Sequence, residues 1–312
     1  MIKRFLFLLP FLFFSCYRVP DTIEPKISSS VEERYIQTLK SPFSSLTNEE
    51  KTTDWGKEYA IGLAFAKDLD FYRAISTFKR AEILIPTDDK RKLEIAYYIT
   101  YCYYLGKKYE EAIYYFERTD LHHVDRSFSA YHDLLLLLYE CYLELGEVEK
   151  ASKIQELIGI AYPETESHIS LYAALMEGDL EKERSFAMKE GFQNLNPMLK
   201  EFERNKKSVF GAQALNALIP GAGYLYVGLK KSALTAFLLN SLFIFASYEF
   251  FKHGYIAAGA ITTSFEMGWY FGGIYGAGEQ AKYYNERVYE NLASPMMNRD
   301  KLFPVLMLKY AF

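Results

Sequence analysis

The sequence has no catalytic constellation. Its 312 residues contain no nucleophile paired with a base, no metal-ligand spacing and no phosphate loop, so neither an enzyme nor a cofactor is expected. Gly221-x-Gly223 does not rescue a nucleotide site, because no strand precedes it and the third glycine is missing. An excess of charge of one sign is missing too. The net charge is −4 and no block carries it, which argues against nucleic acid as a partner. Runs of alternating strand-length segments are absent, which excludes a β-barrel. Leu302–Phe312 alternates weakly and closes on an aromatic residue, but with no strands before it the expectation is a tail packed on apolar helices. His122, His123 and His132, with Asp120 and Asp125 nearby, lack ligand spacing and read as a solvated loop.

What the sequence has in quantity is apolar and aromatic. There are 27 Tyr and 24 Phe, and Tyr is expected where an apolar ring and a polar tip meet a bilayer boundary. From about 208 to 276 the chain is dominated by three apolar pieces, VFGAQALNALIPGAGYLYVGLKK, SALTAFLLNSLFIFASYEFF and YIAAGAITTSFEMGWYFGGIYGAG. The second and third are long enough to span a hydrocarbon core, which takes about 20 residues of helix. An all-α membrane protein follows, with lipid as one partner.

Counting outward from His253, Asn240 lies thirteen residues back and Glu266 thirteen forward. An antiparallel pair of spans therefore puts them at similar depth, where an ionisable group costs about 2.5 kcal/mol or more unless it faces protein or water. A hydrogen bond from Glu266 to Asn240 or Ser241 as interhelical glue is the expectation; a proton, ion or substrate path is the alternative. Gly268, Gly272 and Gly276 form a stripe that lets a second helix approach, from this chain or from another copy, so self-association is a further expectation. In the first piece Pro220-Gly221-Ala222-Gly223 breaks the helix midway. Neither half can span alone, so a re-entrant dip with two crossings is favoured over three crossings.

Ahead of the apolar half, Ile61, Gly62, Phe65, Ala74, Phe78, Ala81 and Pro86 stand at spacings restated by Ile99, Tyr103, Ala112 and Phe116. Leu138, Tyr142, Ala151 and Pro163 restate them again, with a period of about 38 residues against the usual 34. This resembles the tetratricopeptide repeat, which implies antiparallel helix pairs stacked into an array that binds a partner protein. Residues 169–188, turning at Gly178-Asp179, read as a degenerate fourth pair. Ala64, Cys102 and Cys141 occupy equivalent places, so the two cysteines are expected to be free packing residues. Tyr97, Tyr98, Tyr101, Tyr103, Tyr104 and Tyr109 divide between core and a concave groove for a peptide.

The chain opens with Met1-Ile2-Lys3-Arg4, an apolar run from Phe5 to Phe14, and Ser15-Cys16, which is an export signal. A small residue before a cysteine resembles the processing site of bacterial lipoproteins, with Phe13 where Leu is usual; the resemblance implies lipidation of Cys16. Asn216–Lys231, with Pro220, Gly221, Gly223, Tyr226 and Gly228, resembles the Pro-Gly-x-Gly-Gln-x-Tyr-x-Gly signature of small bacterial membrane hairpin proteins, Tyr224 replacing the Gln. Members are often fused behind tetratricopeptide repeats, and their function is uncharacterised.

The expected organisation is a signal at 1–15, a tether at 16–54, repeats at 55–190, a linker at 191–207, a membrane domain at 208–292 and a tail at 293–312. Within this plan Asn194–Pro197 is expected to break any helix, and Lys200–Lys207 to lie on the membrane surface. An amphipathic helix from Glu279 is expected to stop at Ser294-Pro295. The expected role is a scaffold at the bacterial cell envelope, held in the inner membrane with periplasmic repeats and anchored by lipid at Cys16. The alternative is an accessory in transport or membrane-protein assembly whose working part is the hairpin.

Overall fold

The computed structural model describes residues 19–29, 32–87, 90–189 and 191–312. The export signal and Cys16 lie outside the described residues. The fold is all-α. Among the described residues no strand forms, and Lys40 pairs with Tyr310 as an isolated parallel bridge. The chain divides into two compact units that do not follow sequence order. One contains Ser28–Ala173 and Pro295–Phe312; the other contains Ala174–Ser294 and the described part of Met1–Ile27.

The first unit begins with short helices α1 (Glu32–Ile36) and α2 (Asn48–Thr52). Three helix pairs follow: α3 (Asp54–Lys67) with α4 (Phe71–Leu84), α5 (Arg91–Leu105) with α6 (Tyr109–Arg118), and α7 (Tyr131–Glu144) with α8 (Val148–Ala161). Each pair closes through the same turn. Leu69, Lys107 and Gly146 sit at its centre with φ of 60°, 56° and 73°. The next amide bonds back over five residues, from Asp70 to Phe65, Lys108 to Tyr103 and Glu147 to Tyr142, at 2.9 Å each. That is a Schellman closure, which needs one left-handed residue. The small residues mark where helices meet: a Cβ on Gly62 would lie 2.7 Å from the Phe78 ring, and Ala74, Ala81, Ala112 and Ala151 are fully buried. Arg91 ties the loop before α2 to α5. It bonds the carbonyls of Ser44 and Ser45 and the carboxylates of Glu50 and Glu94. Burial pulls its guanidinium down and these bonds more than reverse that.

The second unit holds α10 (Leu180–Ala187), α11 (Leu195–Asn205), α12 (Val209–Leu218), α13 (Ala222–Tyr226) and α14 (Lys230–Lys252). Two helices have longer bounds, α9 (Pro163–Glu177) and α15 (Ile256–Arg299). A last short helix, α16 (Pro304–Met307), belongs to the first unit.

Five expectations are corrected here. Residues 19–27 are not a loose tether: Val19, Ile23, Pro25 and Ile27 are buried, and the backbone amides of Glu24 and Lys26 donate to Glu286 and Glu290 of α15. Asn194–Pro197 starts a helix rather than breaking one, because proline in a first turn has no intrahelical bond to lose. The resulting α11 is not a bare surface helix; Leu195, Met198, Leu199 and Phe202 are buried in the second unit, with Phe202 edge-on to Tyr289 at 5.4 Å. Finally, α15 runs through Pro295 to Arg299, and the tail after it belongs to the first unit, not to the unit of the apolar helices.

Candidate functional site

The Pro-Gly-x-Gly stretch is a junction at which α12, α14 and α15 converge. Gly221 has φ of 92°, and a Cβ there would meet the Ala233 carbonyl of α14 at 2.2 Å; no other residue satisfies both demands. Its amide donates to the Asn216 side chain at 2.9 Å. Gly223 is wedged between α12 and α15, where a Cβ would lie 2.2 Å from the Ala212 carbonyl and 2.8 Å from Ala277. Pro220 lies in the break between α12 and α13. Tyr226 accepts the Ser208 amide at 3.2 Å and carries Lys207 over its ring at 5.0 Å. Gly228 has φ of 87° at the turn into α14. Tyr270 of α15 donates to the Ala217 carbonyl. Asn285 closes the same junction by pairing with both backbone groups of Lys207, at 2.7 and 2.8 Å.

Beyond that junction α14 is long and apolar enough to cross a membrane. Its buried residues are Ala233, Asn240 and Ser247, spaced by seven and so on one face. Leu234, Phe237, Leu238, Leu242, Ile244 and Phe245 are exposed. This is the reverse of a water-soluble helix, small and polar inside and apolar outside. Asn240 and Glu266 are both buried, but no hydrogen bond joins them. The Asn240 amide is spent on the Ala236 carbonyl at 2.6 Å, and Asn240 Oδ1, Ser247 Oγ and Glu266 Oε2 have no partner.

The glycine stripe divides. Gly276 is approached by the Tyr224 hydroxyl, while nothing lies within 4 Å of a Cβ built on Gly268 or Gly272. Those two line an open cavity of about 780 Å³ between α14 and α15, with Lys231, Thr235, Asn240 and Trp269. The small residues that do admit another element are Gly273, Gly276 and Gly278, which face Asn216, Tyr224 and Gln213.

In the first unit the tyrosine run is mostly core: Tyr97, Tyr98, Tyr101 and Tyr104 are buried. The surface they present is covered by the chain itself. Asp133, fully buried on α7, accepts the amides of Lys309 at 2.9 Å and Tyr310 at 2.8 Å. Tyr35 and Tyr101 donate to the carbonyls of Leu308 and Tyr310 at 2.8 and 3.2 Å, and Ala311 donates to the Lys40 carbonyl at 3.0 Å. The Phe312 ring sits among Phe71, Tyr98 and Tyr101, 5.1 to 6.4 Å between centroids.

Of the histidines, His122 and His123 are exposed. His132 is not solvated: it is buried between Asp133 at 2.7 Å and Thr165 at 3.0 Å. Among the described residues no group of His, Cys, Asp and Glu is arranged to hold a metal. Cys102 and Cys141 are free and buried, and burial pushes both thiols up, Cys102 well above its ordinary value. Asp133 and Asn285 belong to no motif in the sequence. The one available signal was Asp133 standing directly before five leucines, a lone acid at the start of a helix that is otherwise buried. No family model matches the chain, and no curated protein or solved structure is significantly similar to it.

Proposed function

We propose that this protein is a membrane-anchored scaffold of tetratricopeptide-like helix pairs that binds a partner protein at the bacterial cell envelope, acting by recognition and not by catalysis. The observation that carries the anchor is the inverted polarity of α14, with Asn240 and Ser247 inward and Leu, Phe and Ile outward. Such a surface is stable against acyl chains and costly against water. The recurring turns at Leu69, Lys107 and Gly146 support the repeat, since equal closures at near-equal spacing are what stacked pairs require. In this reading α14 and the first part of α15 form the membrane hairpin, and the break at Pro220-Gly221 is a dip covered by protein. The repeats are periplasmic and Cys16 adds a lipid anchor.

A second reading, an accessory in transport or membrane-protein assembly, is favoured by the cavity at Gly268 and Gly272, which is lined by Asn240 with its unpaired Oδ1. Membrane fractionation of wild type and Cys16→Ala, with protease added to spheroplasts, tests the scaffold. Digestion of the repeats from outside, with the variant still in the membrane, is the expected result. Protected repeats, or a variant released to the soluble fraction, overturn the proposed anchor and topology.

A further inference from the structure

The contacts made by Leu308–Phe312 differ in kind from ordinary core packing. Five of the hydrogen bonds that hold the segment involve its backbone: two amides to Asp133, carbonyls to Tyr35 and Tyr101, and the Ala311 amide to Lys40. Two of its large side chains are buried, Leu308 and Phe312, and the Phe312 ring sits among Phe71, Tyr98 and Tyr101. Backbone pairing for affinity, with side-chain pockets for selection, is how proteins recognise extended peptides by strand addition. The site is also built for a backbone. Asp133 is a fully buried carboxylate; without the segment it keeps His132 and must take water or another chain's amides in place of the two it loses.

We propose that this surface of α5 and α7 is a binding site for an extended peptide, with 308–312 as its tethered occupant. The partner that takes the segment's place is a stretch of another protein that offers two successive amides to Asp133 and an aromatic side chain two residues further on. This rests on the scaffold reading and specifies its binding site: the partner is read mainly through its backbone, and enters by exchange with the chain's own segment.

The occupant's covalent attachment sets the competition. A segment tethered by a short connection acts at an effective concentration on the order of 1 mM. A free peptide that binds the empty site with a dissociation constant of about 1 μM would therefore bind the intact chain about 1000-fold more weakly.

The test is fluorescence anisotropy with a labelled synthetic peptide of residues 303–312, against three forms of the full chain: wild type, Phe312→Asp, and a form lacking 308–312. Circular dichroism confirms that each variant is folded. The expected result is weak binding to wild type and binding tighter by 100-fold or more to both altered forms. In the peptide, Phe312→Ala lowers affinity at least 10-fold. In the protein lacking 308–312, Asp133→Asn does the same. Folded variants that do not bind, that bind a scrambled peptide equally, or that pair with a second copy instead of the peptide overturn the proposal. None of these outcomes touches the location of the repeats, which fractionation and proteolysis decide separately.

Discussion

Glu183 and Tyr289 are joined by a 2.6 Å hydrogen bond inside the second unit, the tyrosine hydroxyl donating to Oε1 while Oε2 has no partner. The Tyr289 hydroxyl also reaches the Leu175 carbonyl at 3.1 Å. Burial pushes the Glu183 carboxyl up to about 7, and the bond from Tyr289 offsets only part of that. An acid raised in the folded state binds more protons folded than unfolded between its ordinary value and 7. Stability of this unit is therefore greatest below about pH 4.5 as far as this group is concerned, falls as pH rises to 7, and is level beyond, with a total loss of about 3 kcal/mol. Glu183→Gln keeps an acceptor for Tyr289 and removes the titration. Hydrogen exchange at amides near Glu183 and Tyr289, compared at pH 5 and pH 8 after correction for intrinsic rates, should show opening favoured at pH 8 in wild type and not in the variant. Equal pH dependence in the two proteins would remove Glu183 as the cause.

Lys107 is held at φ of 56° in the turn between α5 and α6, where the equivalent turn between α7 and α8 uses Gly146. A side chain in the left-handed region costs about 1–2 kcal/mol, and glycine returns part of that as unfolded-state entropy. Lys107→Gly is expected to stabilise the helix pairs by about 0.5–1 kcal/mol in urea unfolding. Gly146→Lys should destabilise by a similar amount. Opposite signs at two equivalent positions would tie both effects to the shared turn; destabilisation by Lys107→Gly would show that the lysine side chain contributes contacts of its own.

Much of this architecture is legible in the sequence because it rests on local chemistry. Small residues at Gly62, Ala74, Ala81, Ala112 and Ala151 and the break at Pro220-Gly221 follow from periodicity and from proline and glycine sterics. Non-local pairing is not legible. Asp133 and Tyr310 are far apart in the chain, and nothing near Tyr310 signals a buried carboxylate that needs its amide. Val19–Ile27 resembles a tether because its alternation is short and its polar atoms find partners on α15, which local composition does not report. The Gly268–Gly276 spacing does not reveal which glycines are covered, since that depends on where Tyr224 and Asn216 are carried by the turn at Gly221.

Gly223 separates a packing motif from a functional one. Its missing side chain brings α12 and α15 together, with a Cβ expected 2.2 Å from backbone, so relief would require moving a helix. Gly223→Val should destabilise the second unit by about 1–3 kcal/mol or more through overpacking. Gly272→Val, on the same helix bundle but facing the open cavity, should stay within about 1 kcal/mol. Thermal unfolding in detergent measures both. A cost at Gly272 equal to that at Gly223 would mean that the cavity is filled in the folded protein.

Glu266 decides between glue and passage. Its Oε2, like Asn240 Oδ1, lies buried with no donor. Glu266→Gln supplies an amide donor in the same volume. If the residue has no task beyond packing, the variant should unfold within about 1 kcal/mol of wild type, or be more stable, because its new amide can donate to an unpaired acceptor such as Asn240 Oδ1 and such bonds are worth about 0.6 kcal/mol. Glu266→Lys, which places a cation at the same depth, should cost about 2.5–3.5 kcal/mol. Both are read from unfolding in bicelles. Should Glu266→Gln cost as much as Glu266→Lys, the charge of the carboxylate itself is needed, and passage of a proton, ion or substrate replaces glue as the reading of this residue.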